Sequence, residues 1–225
     1  MKAPIIVLEG LDACGKSTQT ELLIENLKNK NISVAWKRFP GYDKTPAGPR
    51  IAAYLRGEFG NMENLDPIMI ASLYASDRLF QLEEIEKMRN EFDILIFDRS
   101  VSSNIIYTAA RGETKSKIQH LIESVEKLEY DIFGFPRESL ILFLDASEKA
   151  RQQIHKAKNR LADLHEKNER YLKQVREVAM DRCEKDFRWI TIEVDRFGEL
   201  RRREDIAEEI LTIVLEKLQK RKKGS

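Results

Sequence analysis

The stretch Ile5-Ile6-Val7-Leu8-Glu9-Gly10-Leu11-Asp12-Ala13-Cys14-Gly15-Lys16-Ser17-Thr18 decides the reading of the whole chain. Ile5 to Leu8 is short, apolar on both faces and ends at Glu9-Gly10, as a buried parallel strand does where it meets a turn. Past the turn, Lys16 to Lys30 carries Leu22, Leu23 and Leu27 at helical spacing. Between the two, Gly10 to Ser17 fits G-x-x-x-x-G-K-[ST], and the strand-turn-helix context makes that pattern a phosphate-binding loop. Glycine at the turning positions lets backbone N–H groups face phosphate oxygens without a Cβ clash. The helix beginning at Lys16 adds the positive end of its dipole. Lys16 is expected to reach the β and γ phosphates of a nucleoside triphosphate, and the Ser17 hydroxyl to take one position on Mg²⁺. The triphosphate site then covers Gly10, Leu11, Asp12, Ala13, Cys14, Gly15, Lys16, Ser17 and Thr18. Cys14 reads as a small side chain filling space, in preference to a thiolate stabilised at the helix N-terminus.

Outward from this unit the chain alternates strand and helix. Ser33 to Phe39 reads as a strand, and Pro40, Gly41, Pro46, Gly48 and Pro49 punctuate a loop before a short helix around Ile51 to Leu55. Pro67 to Met88 has one long helical pattern, followed by the apolar strand Phe92 to Asp98, closed by an acid. Helices fit Ser102 to Arg111 and Lys115 to Glu129, and Leu140 to Leu144 is a further strand. Glu148 to Asp186 is charged and helical in pattern with a break at Asn159 to Asp163; Trp189 to Val194 is the last strand, and a terminal helix runs from Arg203 to about Leu218. Five buried strands with helical crossovers predict an α/β fold, a three-layer α/β/α arrangement around a five-stranded parallel sheet. Its ligands should lie beyond the strands' carboxyl ends. One domain spanning 1–225 is the expectation, and no internal repeat is present.

Composition narrows the class. Hydrophobic residues make up 42% and charged residues 34%, with 10 Gly and 6 Pro, which fits a helix-rich globular chain and not a disordered one. The 39 basic and 38 acidic residues leave a formal charge of +1, too small a global field to draw the chain to nucleic acid or a membrane surface. Phosphate binding must be local. The 2 cysteines, Cys14 and Cys183, build no disulfide framework; with no signal-like segment or membrane-length run, a cytoplasmic protein is expected. His120, His155 and His165 lack metal-ligand spacing, so zinc is not indicated. Asp98, closing Ile94-Leu95-Ile96-Phe97, is a second metal-site candidate, acting through water because Mg²⁺ keeps much of its hydration shell.

A phosphate loop alone does not choose a reaction. At Arg38-Phe39-Pro40-Gly41-Tyr42, Tyr74-Ala75-Ser76-Asp77-Arg78, Asp98-Arg99-Ser100-Val101-Ser102-Ser103-Asn104 and Tyr107, the sequence resembles the thymidylate kinase family, in matching order from Ile5 to about Val194. The resemblance implies ATP-dependent phosphorylation of dTMP, a homodimer, and a role in making dTTP for DNA synthesis. It implies that Arg99 holds the acceptor phosphate, that Arg78 reaches the base or phosphate, and that Tyr74 stacks on thymine. Asn104 and Tyr107, with Ser103 beside them, are similar to positions that contact base and sugar. Arg38 and Phe39 would wall the acceptor site, with Tyr42 near the sugar. Asp12 would touch the acceptor's 3′ hydroxyl or the metal shell. The chain departs from the family at Ser100, where the usual residue is Tyr, which leaves the site either roomier or filled from elsewhere. It departs again at Ala13, where some members carry an arginine.

With no arginine in the loop, charge facing the transferred phosphoryl must come from elsewhere. The stretch Arg151 to Arg160, holding His155, Lys156, Lys158 and Arg160, is the best supplier, in a lid over about 148–166. Arg160 is the first choice and Arg151 the second. The following Asp163-Leu164-His165-Glu166 resembles a segment from a bacterial branch of the family. An acceptor monophosphate has its second pKa near ~6 and is already mostly a dianion at neutral pH, so a site rich in arginines needs no general base.

Overall fold

Alternation along β1 (Ile5–Glu9) sends Ile5 and Val7 to one face and Ile6 and Leu8 to the other, and all four are buried. The same split recurs in β3 (Ile94–Asp98), with Leu95 and Phe97 against Ile94 and Ile96, and in β4 (Leu140–Asp145), with Ile141 and Phe143 against Leu140, Leu142 and Leu144. A strand buried on both faces needs a covering layer on each side, and each enclosed Leu, Ile or Phe contributes on the order of 2 kcal/mol. The computed structural model, which describes residues 2–156 and 168–223, supplies both layers.

One layer pairs α1 (Lys16–Asn29) with α9 (Arg203–Lys223), burying Leu23 and Leu27 beside Ile206, Ile210 and Val214. The other is larger. It draws on α3 (Pro67–Leu79), α4 (Leu82–Glu91), α5 (Val101–Ala109), α6 (Lys115–Glu126) and α8 (Glu169–Lys185), with Ile105, Ile106, Val125 and Val175 at its centre. With β2 (Val34–Arg38) and β5 (Trp189–Glu193), the sheet has five parallel strands in the order β2-β3-β1-β4-β5. Register sets Arg38 beside Asp98, Asp98 beside Leu8, and Glu9 beside Phe143. The polar ends of three adjacent strands therefore meet at one edge of the sheet.

Three expectations are corrected and one element is added. The pattern Pro67 to Met88 is two helices, α3 and α4, separated at Phe80-Gln81. No Gly or Pro marks that turn; Gln81 is held there by accepting from Lys37 Nζ at 3.0 Å and donating to the Asp77 carbonyl at 3.2 Å. The helix from Lys115 leaves α geometry after Glu126 and continues as a π-helical turn over Lys127–Ile132. A two-stranded hairpin, β6 (Asp195–Arg196) and β7 (Glu199–Leu200), follows β5 around Phe197 and Gly198, both at positive φ. The terminal helix extends through Lys223, past the expected end at about Leu218. Of the expected lid, α7 (Glu148–Lys156) is described; Asn159 to Asp163, Arg160 and His165 lie outside the described residues.

The loop after β2 is pinned from below. Asp77, fully buried, accepts from Gly41 N at 2.9 Å and Thr45 Oγ1 at 2.5 Å, and Gly48 opens α2 (Gly48–Leu55) directly under that loop. A Cβ on Gly48 would stand 2.2 Å from the Tyr42 carbonyl oxygen and 2.5 Å from that of Gly41. Backbone there cannot yield as a flexible side chain would. Gly48→Ala is expected to lower stability by about 1–3 kcal/mol, read as a lower urea midpoint at unchanged slope. An unchanged midpoint would show that the loop is not packed this way.

Candidate active site

The phosphate loop is shaped by backbone that side chains rarely tolerate. Gly10 has φ +147° and a Cβ there would lie 2.7 Å from the Leu144 carbonyl oxygen, so β4 passes too close for any other residue. Ala13, at φ +60°, is also left-handed. Gly15, at φ +93°, caps α1, which begins at Lys16 and carries Ser17 and Thr18 in its first turn. Lys16 is 7% exposed and donates to the Gly10 and Leu11 carbonyls at 2.8 Å each, which satisfies a buried cation within the loop itself. The Cys14 Sγ lies 3.7 Å from Lys16 Nζ. Burial pushes the Cys14 thiol up despite that neighbouring charge, and the residue is 1% exposed, which supports its reading as packing.

Beyond the loop, β3 ends at Asp98 and the chain turns at Arg99, a non-glycine residue at φ +67°. Such a conformation costs roughly 1–2 kcal/mol and needs compensation. Arg99 N donates to the Leu8 carbonyl at 3.2 Å, and its guanidinium reaches Asp12 Oδ1 at 2.9 Å, Glu9 Oε1 at 3.3 Å and Ser103 Oγ at 3.3 Å. It also lies over the Tyr107 ring, 5.3 Å from its centroid. Burial opposes its charge, but the negative groups around it outweigh burial, and the guanidinium is held above its ordinary pKa range. Burial likewise pushes the Tyr107 phenol up.

Glu9 stands behind this arrangement and was read in the sequence only as the strand's end. It is fully buried and accepts from Gly10 N at 2.9 Å, Ser102 Oγ at 2.9 Å and Ser103 Oγ at 2.6 Å, besides Arg99. An acid closing an otherwise wholly apolar strand was the available signal. Asp98 is 2% exposed; its Oδ2 lies 3.4 Å from Arg38 Nε, and its Oδ1 has no hydrogen-bond partner among the described residues.

A cavity of about 380 Å³ opens on the β2 and β3 side of the loop. Asp12, Arg38, Phe39, Tyr42 and Tyr74 line it, and so do Arg78, Arg99, Ser103, Asn104 and Tyr107. Each of these is a residue that the sequence singled out for the acceptor, and they come from four separate segments of chain. Phe39 is held in place by edge-on packing against Phe97, 5.3 Å between centroids, and against Phe135 at 6.2 Å. Arg78 lines the cavity with its guanidinium bound to Glu129, donating from Nε at 2.7 Å and also from Nη2.

The cavity also takes residues that the sequence reading missed. Thr108 and Arg111 extend the helical face of Asn104 and Tyr107, a spacing that could have found them. Tyr171, from α8, packs its ring 6.2 Å from that of Tyr107 and donates its hydroxyl to the Tyr107 carbonyl at 2.5 Å. No local pattern pairs residues so far apart in the chain. Ser100 is fully buried and lines the cavity. Arg151, the second choice for the lid, is not brought to the cavity wall; it lies 3.2 Å from Glu169 at the start of α8.

Comparison with known proteins adds an independent finding. The family model for thymidylate kinase matches residues 8–203. The thymidylate kinase of Mycobacterium tuberculosis (strain ATCC 25618 / H37Rv) is 27% identical over 198 residues, covering 85% of this chain and 92% of that protein. The thymidylate kinase of Caldanaerobacter subterraneus subsp. tengcongensis is 31% identical over 186 residues, covering 79% of this chain and 84% of that one. In three dimensions the chain is similar to the thymidylate kinase structure from Candida albicans, with a TM-score of 0.74 and 23% identity over 95% of this chain and 91% of the other.

The Glu9 contacts generate a test of the site's frame. Glu9 Oε1 faces Gly10 N and Arg99, which only donate, while Oε2 faces two serine hydroxyls that can also accept. A glutamine would fit with its NH₂ toward the serines but would remove the charge that pairs with buried Arg99. Glu9→Gln is expected to cost about 1–3 kcal/mol of stability. Calorimetric or urea unfolding that matches the parent protein would count against this arrangement.

Proposed function

The chain belongs to the thymidylate kinase family, and from that premise we propose how its own residues transfer the γ-phosphoryl group of ATP to dTMP. The observation that carries the reading is the joining of two sites: the phosphate loop meets the cavity through Asp12, which is bonded to Arg99 at 2.9 Å. ATP would be held by Gly10 to Thr18, with Lys16 exchanging its loop carbonyl partners for phosphate oxygens. The N-terminus of α1 would face the same oxygens.

In the cavity, Arg99 would hold the dTMP phosphate with the forked geometry that a lysine lacks. Phe39 and Tyr74 would take the two faces of the base, Asn104 and Arg78 its polar edge, and Tyr42 and Tyr107 the sugar. Arg38 and Ser103 would complete the wall on the phosphate side. Asp12 would meet either the 3′ hydroxyl or the metal shell. Asp98, whose buried Oδ1 has no partner among the described residues, and the Ser17 hydroxyl are hard oxygen donors of the kind that suit Mg²⁺, directly or through water. When bound, Mg²⁺ supplies charge neutralisation at the β and γ oxygens. The protein's share is alignment of the two phosphates and compensation of equatorial charge by Lys16, Arg99 and a lid arginine, Arg160 or Arg151. Closing the lid, residues 148–166, would exclude water as a competing acceptor.

The same reading takes the chain as a single domain over 1–225, working as a cytoplasmic homodimer in the supply of dTTP, with ATP and dTMP as its partners and neither nucleic acid nor membrane among them. Among the described residues, no helix is long and apolar enough to cross a membrane. A nucleotide-dependent switch would have no use for a second cavity lined with arginines and aromatics beside the loop, and a kinase for another acceptor is decided by assay.

ADP release in a coupled assay with Mg·ATP is expected to rise strongly with dTMP and weakly or not at all with dCMP, dGMP, AMP or thymidine. Release indifferent to every acceptor would leave only the nucleotide site. Lys16→Ala and Arg99→Ala are each expected to lower dTMP-dependent turnover by roughly 10²–10³-fold in protein that keeps its far-ultraviolet dichroism. Near-normal turnover in either variant would overturn its role.

A further inference from the structure

Glu129 lies on the π-helical turn at Lys127–Ile132, is fully buried and belongs to no motif of the sequence. Its carboxylate joins two of the residues assigned above to the base. Oε1 accepts from Asn104 Nδ2 at 2.7 Å and from Arg78 Nη2, while Oε2 accepts from Arg78 Nε at 2.7 Å. The second hydrogen of Asn104 Nδ2 goes to the Ala71 carbonyl at 3.0 Å. A carboxylate and a backbone carbonyl can only accept, so the Asn104 amide has one permitted orientation, with its NH₂ toward Glu129 and Ala71. Its Oδ1 is thereby fixed on the other side. There it accepts from Thr108 Oγ1 at 3.2 Å and retains a second lone pair. Arg78 is anchored by two of its nitrogens in the same way, and the rest of its fork can only donate.

The consequence is a polarity imposed on the cavity edge. Asn104, which on its own could turn either a donor or an acceptor inward, is held as an acceptor; Arg78 is held as a donor beside it. A thymine or uracil edge presents an imide N–H next to a carbonyl oxygen, which complements that pair. Cytosine presents a ring nitrogen acceptor next to an amino donor and meets like with like at both points. A site with fixed polarity rejects the wrong edge because buried polar groups would be left unpaired.

We propose that Glu129 is the positioning residue that sets this selectivity: it does not touch the base, but by holding Asn104 as acceptor and Arg78 as donor it commits the cavity to an imide-edged pyrimidine. The inference rests on the reading that Asn104 and Arg78 meet the base. It extends that reading to a residue outside the cavity's chemistry. Glutamine at 129 can place its own NH₂ on the Asn104 side, which leaves the Ala71 carbonyl alone to hold the Asn104 amide and weakens its commitment to the acceptor orientation.

The test is steady-state phosphorylation of dTMP and dCMP by the full chain, comparing the parent with Glu129→Gln and Asn104→Leu. In Glu129→Gln, kcat/KM for dTMP should fall roughly tenfold, the worth of one buried hydrogen bond. That for dCMP should fall less, so the ratio between them narrows, and the KM for ATP should stay at its parent value. A merely structural role would lower both acceptors together. Folded Glu129→Gln with an unchanged dTMP to dCMP ratio overturns the proposal. If Asn104→Leu narrows the ratio and Glu129→Gln does not, the base contact stands and the role of Glu129 fails. If Asn104→Leu also leaves the ratio unchanged, the base-contact reading fails and takes this inference with it. Should the unpaired Arg78 charge unfold Glu129→Gln, the double variant Arg78→Met, Glu129→Gln is compared with Arg78→Met alone, so that loss of the Arg78 donor is common to both and a ratio that does not narrow further overturns the proposal.

Discussion

The Glu9 carboxylate, sealed at the carboxyl end of β1, is the constraint around which the functional end of the molecule is organised. A charge removed from water must be met by donors on every side, and here the donors come from the phosphate loop, from the first turn of α5 and from Arg99. The loop cannot shift without losing its bond from Gly10, and α5 cannot shift without losing Ser102 and Ser103. Arg99 is held in a backbone conformation that it would otherwise avoid. One buried acid thus ties together the Gly10–Ser17 loop, Arg99 and the helix that carries Asn104 and Tyr107.

The parallel sheet makes that constraint affordable. Both faces of β1, β3 and β4 are enclosed by helices, so their register does not slip, and Arg38, Asp98 and Glu9 arrive at one edge as a consequence of pairing. A second buried pair, Arg78 with Glu129, does for the far wall of the cavity what Glu9 and Arg99 do for the near one. Between the walls, aromatic packing of Phe39 on Phe97 and Phe135 fixes the floor without any charge. On the proposed reading, phosphate chemistry at the loop and base recognition around the helices occupy separate parts of the site.

Much of this was legible along the chain. The strand-loop-helix at Ile5 to Lys30 declared itself because hydrophobic period, glycine placement and Lys16 all agree over one short span. The five strands showed as apolar runs because both faces are buried, and the residues expected around an acceptor converge on one cavity. Glu9, Thr108 and Arg111 carried a local signal, whereas the other features absent from that reading had none. The turn between α3 and α4 is enforced by Lys37 and Asp77, the π-helical turn has no marker residue, and Tyr171 reaches Tyr107 from a distant helix.

The sequence by itself determined the strands and helices, the phosphate loop, and the types of side chain available for an anionic acceptor. These depend on period, on glycine and on local spacing, which are properties of neighbouring residues. Only the tertiary structure decided which side chains oppose one another: that Glu9 meets Arg99, that Glu129 bonds to both Asn104 and Arg78, and that one Asp98 oxygen has no hydrogen-bond partner among the described residues. The physical reason is that an acid in a sequence acquires its meaning from the donors that burial forces upon it, and those donors come from segments brought together by folding.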